Sequence, residues 1–195
     1  MRVLRLADLA ARPWKNGGGS TREYAVHPAD AGTGAFYWRL SRARVDRHGA
    51  FSVFPGIDRT LTVVEGDTVD LLFPDRRVRL DRGTPPYRFR GEIPIDCRIP
   101  GAPIEDLSVM TLRTNWRHEV RRQTVAAPTT VDLAGDHAFL VAVTSLRATS
   151  ATRTVDLDAG DALDFDEPTR LELSPLGEPG EALLVRLDHL VGVFA

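Results

Sequence analysis

The sequence predicts an all-β fold, an antiparallel sandwich or barrel, and three observations predict it. Short segments alternate apolar and polar residues at the two-residue period of a strand. Turn-forming clusters separate them at regular intervals: EGD, PDR, RGTPP, IPGAP, AGD, DAGD, DEP and GEPG. Helical patterning is confined to two short candidates, DLAAR at 8–12 and PIEDLSVM at 103–110. Many short strands with such punctuation suit a sandwich or barrel.

In chain order, FYWRLSRARV (36–45) alternates and is rich in aromatic residues, and RTLTVVEG (59–66) alternates and ends in a turn. TVDLLF (68–73), RRVRL (76–80), IDCRI (95–99) and SVMTLR (108–113) continue the pattern. A polar, proline-containing stretch, NWRHEVRRQTVAAPTT, marks a join near residues 115–130. HAFLVAVTSLR (137–147), TRTVDL (152–157), ALDF (162–165), TRLELS (169–174) and EALLVRLD (181–188) follow. DRTLTVVEGDTVDLLF echoes TRTVDLDAGDALDFDE half a chain later: a strand, a Gly-Asp turn, a strand. The echo implies two related β units.

Composition narrows the function. The 195 residues carry 43% hydrophobic and 27% charged side chains, ordinary for a globular protein. A net charge of −2 provides no basic field for nucleic acid or an anionic membrane. No apolar run approaches the roughly 20 residues of a membrane span, and the N-terminus lacks the features of a signal peptide. The single cysteine, Cys97, has no disulfide partner, which fits a reducing cytoplasm. The five histidines, at 27, 48, 118, 137 and 189, lack metal-ligand spacing.

RPWKNGGGSTREY (12–24) holds the only lysine; the other 24 basic residues are arginine. Under such a bias, Lys15 is either a chance survivor or a position that needs a compact point charge rather than a planar fork. Gly17, Gly18 and Gly19 allow a tight loop with exposed amides. Asn16 adds donors and acceptors, Trp14 an apolar wall with a polar edge, and Thr21 follows directly. The glycine spacing is not that of a P-loop. The loop is either a lid over an anion or a structural plug.

PWKNGGGSTRE, WRLS and FPGIDRTL, in that order, with FRGEIPIDC and VMTLR, resemble the HutD/Ves family of bacterial cupin-like proteins. The resemblance runs from about residue 10 to residue 113. It implies a bicupin, two small double-stranded β-barrels in one compact chain of 195 residues, with units at about 1–114 and 130–195. The chain departs from the family at Leu107 and Ser108, where Phe-Asn is more usual, and at Leu112, where Arg is common.

Metal-binding cupins place two His and a Glu before a turn like VVEG, and a later His after a proline-glycine turn. With VVEG at 63–66 as anchor, the Glu position falls on Arg59, the paired His among Ser52–Pro55, and the later His on Tyr87. The expectation is no metal and no cofactor. Arg59 shares a strand face with Leu61 and Val63, so it points inward, and Arg39 shares a face with Ser41. A buried cation needs a partner: either an internal carboxylate (Glu65, Glu23 or Asp58) or an anionic ligand.

The sequence therefore predicts a metal-free protein that binds a small anionic metabolite. The candidate ligand residues are Trp14, Lys15, Asn16, Gly17, Gly18, Gly19, Thr21, Arg39, Ser41, Arg59 and Tyr87. The resemblance implies an accessory or regulatory role in histidine utilisation, with N-formylglutamate or urocanate as ligand. The alternatives are a cofactor-independent isomerase or hydrolase using Lys15, Glu23, Tyr87 or His27, and an interaction module that dimerises through strand edges.

Overall fold

The computed structural model describes residues 1–29, 31 and 35–190. Apart from one 3₁₀ turn, Leu6–Asp8, its regular structure is β, as the alternation predicts. Two compact units emerge: Leu9–Arg117 with Leu190, and Met1–Asp8 with His118–His189. The predicted C-terminal unit includes 191–195, which lie outside the described residues.

The first strand, β1 (Arg2–Leu4), belongs to the second unit. The first unit comprises β2 (Arg12–Pro13), β3 (Gly19–His27), β4 (Trp38–Val45), β5 (Gly49–Ala50), β6 (Ile57–Glu65) and β7 (Thr68–Leu72). It continues with β8 (Arg77–Asp81), β9 (Tyr87–Arg90), β10 (Asp96–Arg98) and β11 (Ile104–Leu112). They form a six-stranded sheet, β2-β3-β4-β11-β6-β9, and a four-stranded sheet, β5-β10-β7-β8. Val45, Leu61, Val63 and Ile104 from the larger sheet meet Val69, Leu71, Leu80 and Cys97 from the smaller in one core. Each such buried aliphatic side chain contributes roughly 1.5–3 kcal/mol.

In the second unit, β12 (Trp116–Val125), β13 (Thr129–Leu133), β14 (His137–Ala142) and β15 (Leu146–Thr149) are followed by β16 (Thr154–Leu157), β17 (Ala162–Phe165), β18 (Thr169–Pro175) and β19 (Gly180–His189). They pair as β1-β17-β14-β19-β12 and β13-β18-β15-β16 around Leu140, Leu146, Leu163, Phe165 and Leu173. The echo in the sequence is real in three dimensions. In both units its strand–turn–strand crosses from one sheet to the other, β6 to β7 and β16 to β17. Both turns rest on a glycine in the left-handed region, Gly66 at φ 88° and Gly160 at φ 92°.

Three sequence expectations are corrected. DLAAR, the first helix candidate, forms no helix: a 3₁₀ turn ends at Asp8 and Arg12 opens β2. PIEDLSVM, a helix candidate, is the central strand β11, buried along nearly its whole length. Polar Asp106 and Ser108 take inward positions there, which erases the apolar–polar alternation. NWRHEVRRQTV, read as a polar join, contains β12, a ten-residue strand at the edge of its sheet. Its charges suit an edge that must stay solvated.

Candidate functional site

The register of the six-stranded sheet places its inward side chains in rows, because directly paired residues of antiparallel strands share a face. The first row reads Val26, Arg39, Met110, Arg59, Phe89 across β3, β4, β11, β6 and β9. The second reads Glu23, Ser41, Ser108, Leu61, Tyr87, and the third Thr21, Ala43, Asp106, Val63. The ladder shifts register at two places, beside Glu23 and beside Asp106. Such bulges re-aim side chains, and here they flank the two carboxylates of this face.

Arg59 is 8% exposed. Its guanidinium lies 5.3 Å from the Phe51 ring, 5.5 Å from Phe54 and 5.2 Å from Phe89. Nη1 makes one long hydrogen bond, 3.4 Å, to the Ser52 carbonyl. Nε is buried and unpaired. None of the three carboxylates that the sequence offered as partners serves Arg59. Glu23 lies beside Arg39, Glu65 pairs with Arg42, and Asp58 pairs with Arg88 and Arg113. Burial lowers the Arg59 pKa to about 10; the charge of Asp106 opposes that shift and the charge of Arg39 adds to it.

Arg39 Nε lies 2.8 Å from Glu23 Oε2, yet its N–H is not aimed at that oxygen and remains unpaired. Ser108 Oγ, in the next row, is also buried without a partner. Three unsatisfied polar atoms thus share one sheet face. Orphaned buried polar groups are rare, costing about 1–3 kcal/mol each. Asp106, buried in the third row, has its carboxyl pKa raised to about 7 by burial, against the attraction of Arg59.

The glycine loop is the turn of the β2–β3 hairpin. Trp14 Nε1 donates to Thr21 Oγ1 (2.8 Å), and its ring meets Phe51 edge-on at 6.5 Å. Trp14 thereby walls the end of the face. The Gly17 amide donates to the Trp14 carbonyl (3.0 Å) and the Gly18 amide to Asn16 Oδ1 (3.0 Å). Gly17 has φ 66°. A Cβ on Gly19 would sit 2.1 Å from the Arg44 carbonyl oxygen, so only glycine fits there. Lys15, Asn16 and Gly17 are exposed on the turn. Lys15 has no ion pair among the described residues.

The structure therefore brings Thr21, Arg39, Ser41, Arg59 and Tyr87 onto one face, with Trp14 at its margin. It does not bring Lys15, Asn16, Gly17 or Gly18 there, and Gly19, paired with Val45 at the far end of the face, brings no side chain to it. Tyr87 lies toward the rim, its hydroxyl accepting from exposed Arg76 at 3.4 Å. Sequence reasoning missed Ser108 and Asp106 as site residues: Ser108 opens the strand expected at 108–113 without being assigned a face, and Asp106 lies before it in the stretch read as a helix candidate. Beside the arginine row opens a cleft of about 580 Å³, lined by Phe36, Tyr37, Ser52, Val53, Phe54 and Leu112 among others. Among the described residues, no group of three or more His, Cys, Asp and Glu is placed to hold a metal ion. No described helix is long and apolar enough to cross a membrane.

Comparison with known proteins follows the same lines. An uncharacterized 21.2 kDa protein in the hutC 3′ region of Pseudomonas putida is 35% identical over 60% of this chain and 61% of its own length. Protein Ves of Citrobacter koseri is 31% identical over 62% of this chain and 63% of its own. The matches thus span under two thirds of these relatives. HutD from Pseudomonas fluorescens SBW25, solved in a formate condition, superposes with a TM-score of 0.81 at 26% identity, covering 97% of this chain and 98% of that one. A cupin 2 conserved barrel protein from Leptotrichia buccalis superposes at 0.62 with 5% identity, over 95% of each chain, which speaks to fold alone. The HutD family matches residues 6–183, and the chain belongs to that family.

Proposed function

We propose that the first unit binds a small carboxylate between Arg39 and Arg59, without a metal, and that the chain is an accessory or regulatory factor of histidine utilisation. One observation carries the binding reading: Arg59 is a buried cation with no carboxylate in ion-pairing distance among the described residues and an unpaired Nε. Three aromatic faces offset part of its desolvation, each by up to about 2 kcal/mol. They leave its hydrogen-bonding capacity open. A carboxylate fits because it accepts from two guanidinium groups and from the Ser108 hydroxyl at once. It would also relieve the repulsion between the two arginines. Arg59 stands where the cupin pattern has a metal-binding Glu, which replaces a cation site by an anion site.

The physiological setting is supported by the family and by the relative located beside hutC. N-formylglutamate and urocanate are the candidate ligands. Isothermal titration of both acids into the parent and into Arg59→Met tests the reading: binding to the parent, weakened by roughly 2–5 kcal/mol in the variant, is expected. Equal affinity for both proteins overturns it. A second reading, a cofactor-independent enzyme, is favoured by Asp106 alone, whose carboxyl titrates near neutrality inside the same face. Consumption of either acid, followed by proton NMR and abolished in Asp106→Asn, would establish turnover.

A further inference from the structure

We infer that the second unit carries a binding site of its own, for a small zwitterion of the α-amino acid class, in the groove between β12, β13 and β19. The site lies wholly within the second unit and does not rest on the reading of the arginine row.

The groove begins where the apolar core ends. Along β19, strand alternation puts Ala182, Leu184, Arg186 and Asp188 on one face. Ala182 and Leu184 belong to the core, and Arg186 is exposed. On β12, Val125 belongs to the core, while Arg121 and Glu119, further along the same face, are exposed. On β13, the contribution to the core stops at Leu133. Both β12 and β13 are the outermost strands of their sheets, so no ladder closes the space between them. A groove of about 290 Å³ results, lined by Leu133 and Leu184 and by the charged residues Glu119, Arg121, Asp132 and Arg186.

The charges select the ligand. Two carboxylates and two guanidinium groups balance, so an ion of either single sign meets as much repulsion as attraction. A molecule that carries both signs satisfies both. The lining groups are also open to it. Arg121 approaches Glu119 only to 3.6 Å, and Asp132 meets Arg170 at 3.5 Å. Both distances exceed the roughly 2.7–3.2 Å of a good hydrogen bond. Arg186 donates Nε–H to Asp188 at 2.8 Å, which steadies its guanidinium through one of its N–H groups. Size narrows the class further. The volume lies just under the roughly 300–1,000 Å³ usual for small-molecule sites, which suits one amino acid rather than a peptide. Its ammonium faces Glu119 and Asp132, its carboxylate Arg121 and Arg186, and an aliphatic side chain lies against Leu133 and Leu184.

Titration calorimetry on the full chain tests the site with four probes. Leucine carries every feature; N-acetylleucine lacks the cation, leucinamide the anion, and glycine the apolar body. The parent, Arg59→Met, Arg121→Gln and Glu119→Gln are compared. Glu119 and Arg121 are both largely exposed, so glutamine at either position spares the fold. Arg59→Met disables the anion site of the first unit, so binding that survives in it belongs to the second. Leucine is expected to bind the parent and Arg59→Met alike. In Arg59→Met, the other three probes should bind at least about tenfold more weakly than leucine. Each glutamine variant should lose about fivefold or more of the leucine affinity. No leucine binding in Arg59→Met, equal affinity for leucine and any of the other probes, or unchanged leucine affinity in either glutamine variant overturns the inference. None of these outcomes touches the arginine row, which its own titration judges.

Discussion

Arg59 and Asp106 carry opposite charges on the same buried face, and each pays a desolvation cost that the other only partly offsets. Replacing a buried ion pair by apolar side chains of similar volume is often neutral or stabilising by about 1–4 kcal/mol, and a buried cation without such a pair has chiefly its desolvation cost to lose. Arg59→Met is therefore expected to melt at or above the parent temperature, since no ion-pair partner is orphaned; a large fall in a thermal scan contradicts this. Asp106 gives a pH signature. Its carboxyl is raised to about 7, so the folded state holds that proton more tightly than the unfolded chain does. The stability this provides is complete below the ordinary carboxylate range and is lost as pH rises through about 7. Asp106→Asn should remove that slope, melting like the parent near pH 4 and above it near pH 8. Arg59, Arg42, Glu105 and Cys97 are the charged or titratable groups that sense Asp106. Ionised Asp106 also opposes an anion at the arginine row. Carboxylate affinity should therefore rise as pH falls from 8 to 6, and calorimetry on the Asn variant should show the dependence gone.

At the scale of elements, β6 and β4 supply the cations, β11 the hydroxyl and the carboxyl, and the β2–β3 turn closes the end. The hairpin's geometry depends on Gly19, whose hydrogen packs against the β4 backbone. Gly19→Ala should part β3 from β4 and destabilise the unit by several kcal/mol, whereas Gly18→Ala, which meets only the Asn16 side chain at 3.2 Å, should cost far less. Denaturant melts compare the two. Lys15→Arg should melt like the parent, because an exposed lysine without an ion pair adds little. How much the sequence disclosed follows from these strands. Arg39, Ser41 and Arg59 were legible because strand period and the VVEG anchor fix their faces. Ser108 and Asp106 were not, because β11 is buried on both faces and its inward positions are polar. β3 was hidden for a related reason: its register shift after Glu23 breaks the two-residue period. The closure of the glycine amides onto Trp14 and Asn16 depends on turn geometry that residue types alone do not specify.

At the scale of the whole molecule, each unit has its own pair of sheets and its own core. The first eight residues belong to the second unit. β1 pairs with β17, Arg2 donates to Asp164 (2.5 and 3.0 Å), and Arg5 donates to Asp161 (2.5 Å). Met1 and Val3 pack on the second core. Removing residues 1–8 should expose β17 as a sheet edge and raise amide exchange at 162–165, with the arginine face of the first unit unaffected. The account rests on that face being an anion site rather than a structural oddity of one β unit. Its most direct test is calorimetric titration of small carboxylates, formate among them, into the parent and into Arg59→Met at pH 6. The account predicts stoichiometric binding to the parent, weakened by roughly 2–5 kcal/mol in the variant, with the melting temperature retained. Unchanged affinity in a folded variant would contradict it.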